Sequence, residues 1–148
     1  MINIKDKDEM KQFANQLVEL IEPNDLILLN GDLGAGKTTL TQFIGLAMGV
    51  TRTINSPTFN IIKSYKGTNL KLHHMDCYRL EDLEEDLGFD EYFEDEALTV
   101  IEWSQFIKDL LPKEALVINI KVIDESQRQI TLEAEGNHYI AMKEALEQ

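Results

Sequence analysis

The chain has 148 residues, 43% of them hydrophobic, which suits one compact domain over residues 1–148 with a core of useful size. Its 27 aspartates and glutamates outnumber 14 lysines and arginines, a formal net charge of −13 at pH 7. That balance excludes a chain that grips RNA or DNA by itself, since such affinity comes from clustered cations. Cys77 is the only cysteine, so no internal disulfide can form, and no apolar run has the length of a membrane span or the form of a signal peptide; a cytoplasmic location is expected.

Residues 8–22 place Met10, Phe13, Ala14, Leu17, Val18 and Ile21 at helical spacing, with Asp6 or Asp8 as the cap and Pro23-Asn24-Asp25 as the stop. Leu26-Ile27-Leu28-Leu29 follows without polar alternation, as in a strand covered on both faces. It leads into Gly31-Asp32-Leu33-Gly34-Ala35-Gly36-Lys37-Thr38-Thr39 and a helix over 38–48 that Gly49 stops. Residues 51–58 are polar and aperiodic, the composition of a mobile loop. Residues 59–65 and 70–76, on either side of Lys66-Gly67-Thr68-Asn69, predict a β-hairpin.

Residues 81–96 hold ten acids and no base, interleaved with Leu83, Leu87, Phe89, Tyr92 and Phe93. They read either as a solvated acidic helix pair or as a docking face for a basic partner. A buried strand over 98–102 ends in Glu102, and a helix over 103–111 is closed by Pro112. Residues 115–122, 129–134 and 138–142 predict three terminal strands. The order of elements implies an α/β fold, a three-layer P-loop NTPase-type sandwich around a mixed, mainly parallel sheet.

The chemistry starts at residues 31–39, a full G-x-x-x-x-G-K-[ST] loop between a strand and a helix. Glycines let the backbone turn its N–H groups toward phosphates, and the helix N-terminus adds positive potential. Lys37 is expected to reach the β/γ-phosphates, Thr38 to offer its hydroxyl to Mg²⁺, and Thr39 to support an α-phosphate contact. Mg²⁺ also calls for an acid at a neighbouring strand end. Asp76 and Glu102 both qualify, Glu102 on the more apolar strand, and the two are compatible; each could instead pair with a surface base. His73 and His74 fall on opposite faces of their strand, which argues against a shared transition metal. Arg79, one of three arginines with Arg52 and Arg128, suits charge developing in phosphoryl transfer, or an ordinary surface ion pair. Trp103 reads either as core packing or as a flat surface beside the nucleotide.

Four motifs in order, the loop at 31–39, Ser56-Pro57-Thr58-Phe59, His74-Met75-Asp76-Cys77-Tyr78-Arg79-Leu80 and Ile101-Glu102-Trp103, resemble the bacterial TsaE family. These are small P-loop ATPases needed to make threonylcarbamoyladenosine in tRNA. The first motif is common to many P-loop proteins; the four together are specific and span most of residues 26–104. Beyond Pro112 only Arg128 carries the resemblance. It implies ATP binding by Gly34, Ala35, Gly36, Lys37, Thr38 and Thr39, Mg²⁺ contact by Thr38 and Glu102, and Asp76 as a Walker-B-like acid. It further implies a switch-like loop ending at Ser56-Pro57-Thr58, and nucleotide contacts from Arg128 and from the helix start around Asp8. Cys77 and Asn60 depart from the aliphatic residue and the threonine usual at those places, away from the expected chemistry. The implied partners are TsaD and TsaB, whose complex holds the tRNA.

A partner-stimulated ATPase therefore leads. A small-molecule kinase is the runner-up, although such enzymes usually need several arginines for the acceptor and a lid and this chain offers three, widely separated. A nucleotide-gated binding module is the reading from a different class. GTP is disfavoured by the absence of Asn-Lys-x-Asp.

Overall fold

The computed structural model describes residues 1–32, 34–55, 62–77 and 89–148. Among them seven strands form one sheet in the order β1-β7-β6-β2-β5-β4-β3. These are β1 (Ile2–Ile4), β2 (Leu26–Asn30), β3 (Ile62–Lys66), β4 (Lys71–Asp76), β5 (Ala97–Glu102), β6 (Ala115–Val122) and β7 (Arg128–Glu135). β2 lies between β5 and β6, parallel to both, and β4 is parallel to β5. β3, β7 and β1 join antiparallel toward the edges. The sheet is mixed, and parallel where the glycine-rich loop leaves it.

Strands of the parallel centre are apolar on both faces because both faces are covered. Ile27 and Leu29 of β2 join the larger core, with Leu40 and Ile44 of α2 (Lys37–Ala47) and Phe13 and Leu17 of α1 (Lys7–Leu20). Leu26 and Leu28 point the other way, into a smaller core with Met75, Cys77, Ile101 and Ile107. That second face is closed by the short helix α3 (Phe89–Phe93) and the 3₁₀ segment Ser104–Leu110, giving three layers. Burying each such aliphatic side chain contributes about 1.5–3 kcal/mol. At the start of α1 the Asp6 carboxylate accepts from Glu9 N (2.9 Å) while Glu9 Oε1 accepts from Lys5 N (2.7 Å), two orphan donors satisfied at once.

Two expectations are corrected. Residues 138–142 are not a strand; they lie in α4 (Asn137–Leu146). Gly136, at φ 100°, breaks β7, and Tyr139, Met142 and Leu146 then bury one helical stripe while Ile140 is exposed. The following Lys-Glu-Ala-Leu adds strong helix formers that a five-residue window leaves out. The strand that does pair with the outer edge of β7 is β1. Residues 103–111 are not one α-helix: Trp103 takes a left-handed conformation (φ 60°, ψ 41°), and Ile107 interrupts the 3₁₀ turns that follow. The hairpin is present as β3 and β4. The motif at 56–59 and residues 81–88 of the acidic stretch lie outside the described residues.

Candidate functional site

β2 delivers the glycine-rich loop at its carboxyl end, the edge where ligands collect in parallel α/β sheets. Gly31 sits against the backbone of β6: a Cβ there would meet Ile120 O at 2.8 Å and the Ala35 side chain at 3.0 Å. Gly36, at φ 105°, is the N-cap of α2 and adopts a conformation that side chains resist. It cannot cap the helix with a side chain, so the N-terminal N–H groups of α2 keep their positive potential for an external acceptor.

Lys37 opens α2 and is only 5% exposed. Its ammonium has no hydrogen-bond acceptor among the described residues and rests over the Trp103 ring, 4.1 Å from the centroid. A buried cation with no anion among the described residues, at the head of an uncapped helix, fits a phosphate ligand. Thr38 and Thr39, in the first turn, are half-buried and reachable. Two cavities flank this loop. The larger, about 620 Å³, is lined by Leu28, Asn30, Asp32, Lys37, Trp103 and Lys108. The smaller, about 310 Å³, takes Asp6, Lys7, Met10, Gly36, Thr39 and Arg128 among its walls.

Arg128 reaches the loop from β7: its Nε donates to Ala35 O (2.9 Å) while Nη1 donates to Asp124 O (2.7 Å) and Gln127 O (2.9 Å). The arginine thereby holds the loop's backbone at the edge of the smaller cavity. Asp8 is exposed in the first turn of α1 and is not among the residues lining that cavity; Asp6 and Lys7 are.

The acids come from adjacent strands. Asp76 of β4 stands beside Glu102 of β5, and Glu102 beside Leu29 of β2, so the three strand ends are level. Glu102 is 4% exposed, and its Oε2 lies 2.6 Å from His74 Nε2. Trp103, the next residue, carries the end of β5 to Lys37. The structure therefore gathers Lys37, Thr38, Thr39, Asp76 and Glu102 along one sheet edge. Arg79 lies outside the described residues. Among those described, no three His, Cys, Asp or Glu side chains form a metal cage, whereas Mg²⁺ bound with a triphosphate asks the protein for only one or two ligands.

His73, on the opposite face, lies between Ser64 Oγ (2.7 Å) and Asp95 Oδ2 (2.9 Å). That bond, helped by Lys71, holds the Asp95 carboxyl below its ordinary pKa. Burial, and then the Asp76 charge, push the Cys77 thiol up to about 12, and it packs as a small apolar side chain.

The family described as "Threonylcarbamoyl adenosine biosynthesis protein TsaE" matches residues 4–130. The chain belongs to the TsaE family. The match runs past the four motifs to include α1 and Arg128. Among TsaE relatives, the tRNA threonylcarbamoyladenosine biosynthesis protein TsaE of Bacillus subtilis is 46% identical over 139 residues, 94% of this chain and 88% of that protein. The protein of the same name from Haemophilus influenzae is 35% identical over 141 residues, 90% and 89% of the two chains. The crystal structure of Bacillus subtilis YdiB superposes with a TM-score of 0.83 at 37% identity, covering 99% of this chain and 92% of that one.

Two features of this TsaE site escape a linear reading. The His74–Glu102 bond joins residues 28 apart, although the alternation of β4 already sets His74 and Asp76 on one face. The part played by Asp6 was masked by its equivalence with Asp8 as a cap.

Proposed function

We propose that this chain is a Mg²⁺-dependent ATPase that serves threonylcarbamoyladenosine formation in cytoplasmic tRNA, stimulated by TsaD and TsaB partners. The observation that carries the reading is the Lys37 ammonium, buried without an anion among the described residues at the uncapped start of α2. Removing an ammonium from water costs several kcal/mol, and a cation–π contact in a desolvated setting returns about 2 kcal/mol, part of that cost. The β- and γ-phosphate oxygens of ATP supply the missing countercharge, and the N-terminal N–H groups of α2 supply donors.

Thr38 and Glu102 would hold the metal, with Asp76 beside them. When bound, Mg²⁺ neutralises phosphate charge and leaves a better leaving group. In hydrolysis a water oxygen bonds to the γ-phosphorus, the bond to the β–γ bridging oxygen breaks, and ADP and inorganic phosphate leave. Lys37 stays on the charge that builds at the leaving side. Asp76 and Glu102, as level acceptors on neighbouring strands, orient the water. Arg128 keeps the loop backbone in place through Ala35 O.

Phosphate release from Mg·ATP, measured for the chain alone and with purified TsaD and TsaB, tests the reading. Slow release alone and marked stimulation by the pair are expected; equal, negligible release in both overturns it. One observation favours a second reading, a small-molecule kinase: the 620 Å³ cavity beside Lys37 has room for a phosphoryl acceptor. ATP consumption without matching phosphate release would select it.

A further inference from the structure

The two neighbouring histidines of β4 are bonded in different ways. His73 has both ring nitrogens occupied, by Ser64 and Asp95, as a histidine that ties a hairpin to the loop before β5 should. His74 is fully buried and makes one hydrogen bond, through Nε2, to Glu102 Oε2 at 2.6 Å; its Nδ1 has no partner among the described residues. A buried ring nitrogen left bare costs stability, so packing alone favours an apolar residue here. The bond that is made has the short distance of a charge-assisted contact. It engages one oxygen of a carboxylate whose other oxygen, Oε1, bonds to no described residue.

We propose that His74 is the positioning residue for Glu102. Its Nε2–H fixes Oε2 and so sets the rotamer that leaves Oε1 as the oxygen that would serve a nucleotide-bound cation or its water. The proposal rests on the Mg-ATPase reading given above. It assigns the histidine a role through Glu102 and no contact with the nucleotide. Orienting partners of metal-directed side chains are typically worth about 10–100-fold in metal affinity or activity.

The test uses the full-length chain with His74→Leu, His74→Gln, Glu102→Ala and the His74→Leu/Glu102→Ala double variant. Calorimetric titration of Mg²⁺ into the chain saturated with a non-hydrolysable ATP analogue is read beside phosphate release. His74→Leu should weaken Mg²⁺ affinity and lower turnover about 10–100-fold, with binding of metal-free nucleotide unchanged. His74→Gln, which returns an amide donor near the place of Nε2, should restore most of both. In the Glu102→Ala background His74→Leu should add no further loss, because its effect passes through the carboxylate.

A His74→Leu chain that folds and keeps wild-type Mg²⁺ affinity and turnover overturns the role while leaving the ATPase reading intact. A wild-type chain that neither binds nor hydrolyses Mg·ATP overturns both. If His74→Leu does not fold, the long-range ¹H–¹⁵N spectrum of the wild-type imidazoles decides. A His74 ring carrying its proton on Nε2, with that signal displaced in Glu102→Gln, supports the role; a proton on Nδ1 alone overturns it.

Discussion

Lys37 is a charge kept out of water by its neighbours, and the cost of keeping it there is a prediction in itself. Trp103 covers it from a left-handed backbone conformation that costs a bulky residue about 1–2 kcal/mol. Both residues thus hold unfavourable arrangements at the same place, the pattern of a site whose free state is less comfortable than its liganded one. Lys37→Met keeps the apolar stem and removes the charge. Without nucleotide it should melt at the wild-type temperature or a few degrees above, since relief of about 1 kcal/mol shifts a domain of this size by about 2–4 °C. With Mg·ATP at about a hundred times its Kd, wild-type gains about 2.7 kcal/mol and its melting point rises, whereas Lys37→Met should show no such rise. Thermal melts of both proteins with and without Mg·ATP check this. A lower melting point for the free variant would mean that the ammonium stabilises the fold and is not held in reserve for a ligand.

At the scale of elements, α4 does a job at the end of the sheet remote from the site. Tyr139 Oη accepts the backbone N–H of Leu26 at 2.9 Å, and His138 Nε2 lies 2.8 Å from Asp25 Oδ2, so α4 secures the entry of β2 while the glycine-rich loop forms at its exit. Tyr139→Phe leaves the buried Leu26 N–H without an acceptor and should cost about 1–3 kcal/mol, read as a fall in melting temperature. Burial raises the Tyr139 hydroxyl to about 12 despite the Leu26 bond. The folded chain keeps that proton where the unfolded chain, near pH 10, has released it, so stability falls as pH rises from about 10 to 12. Tyr139→Phe should flatten this part of the curve and leave the decline from about pH 9 that Cys77 contributes; denaturant unfolding across that range measures both. Little of this was legible in the sequence. β2, the loop and α2 could be read because their demands are local: an apolar run, glycines at fixed offsets, then a helical stripe. α4 could not, because Tyr139 and Met142 fit a short strand until Leu146 joins them. β1 is three residues long and exists by its pairing with β7. Of the site, Lys37, Thr38 and the strand-end acids follow from motif and alternation. The support from Arg128 and His74 depends on register between strands distant in the chain.

For the whole molecule the governing quantity is a net charge of −13. Like charges spread over a small body repel one another in the compact state, while the surface ion pairs Lys71–Asp95 (3.3 Å) and Lys143–Glu147 (2.9 Å) contribute little because water screens them. Salt screens both, over about 30 Å at 0.01 M and about 8 Å at 0.15 M, so the longer-ranged repulsion is removed first. The melting temperature should therefore rise when NaCl goes from 10 to 150 mM; a fall would show that the ion pairs outweigh the repulsion. The same charge repels a polyanion and favours a cationic protein surface, so docking on the proposed TsaD and TsaB partners should weaken over the salt range in which the fold gains stability. Melting curves and binding isotherms across one salt series separate the two effects by sign. If affinity and stability rise together, docking is apolar and the acidic surface serves only to hold the chain apart from nucleic acid.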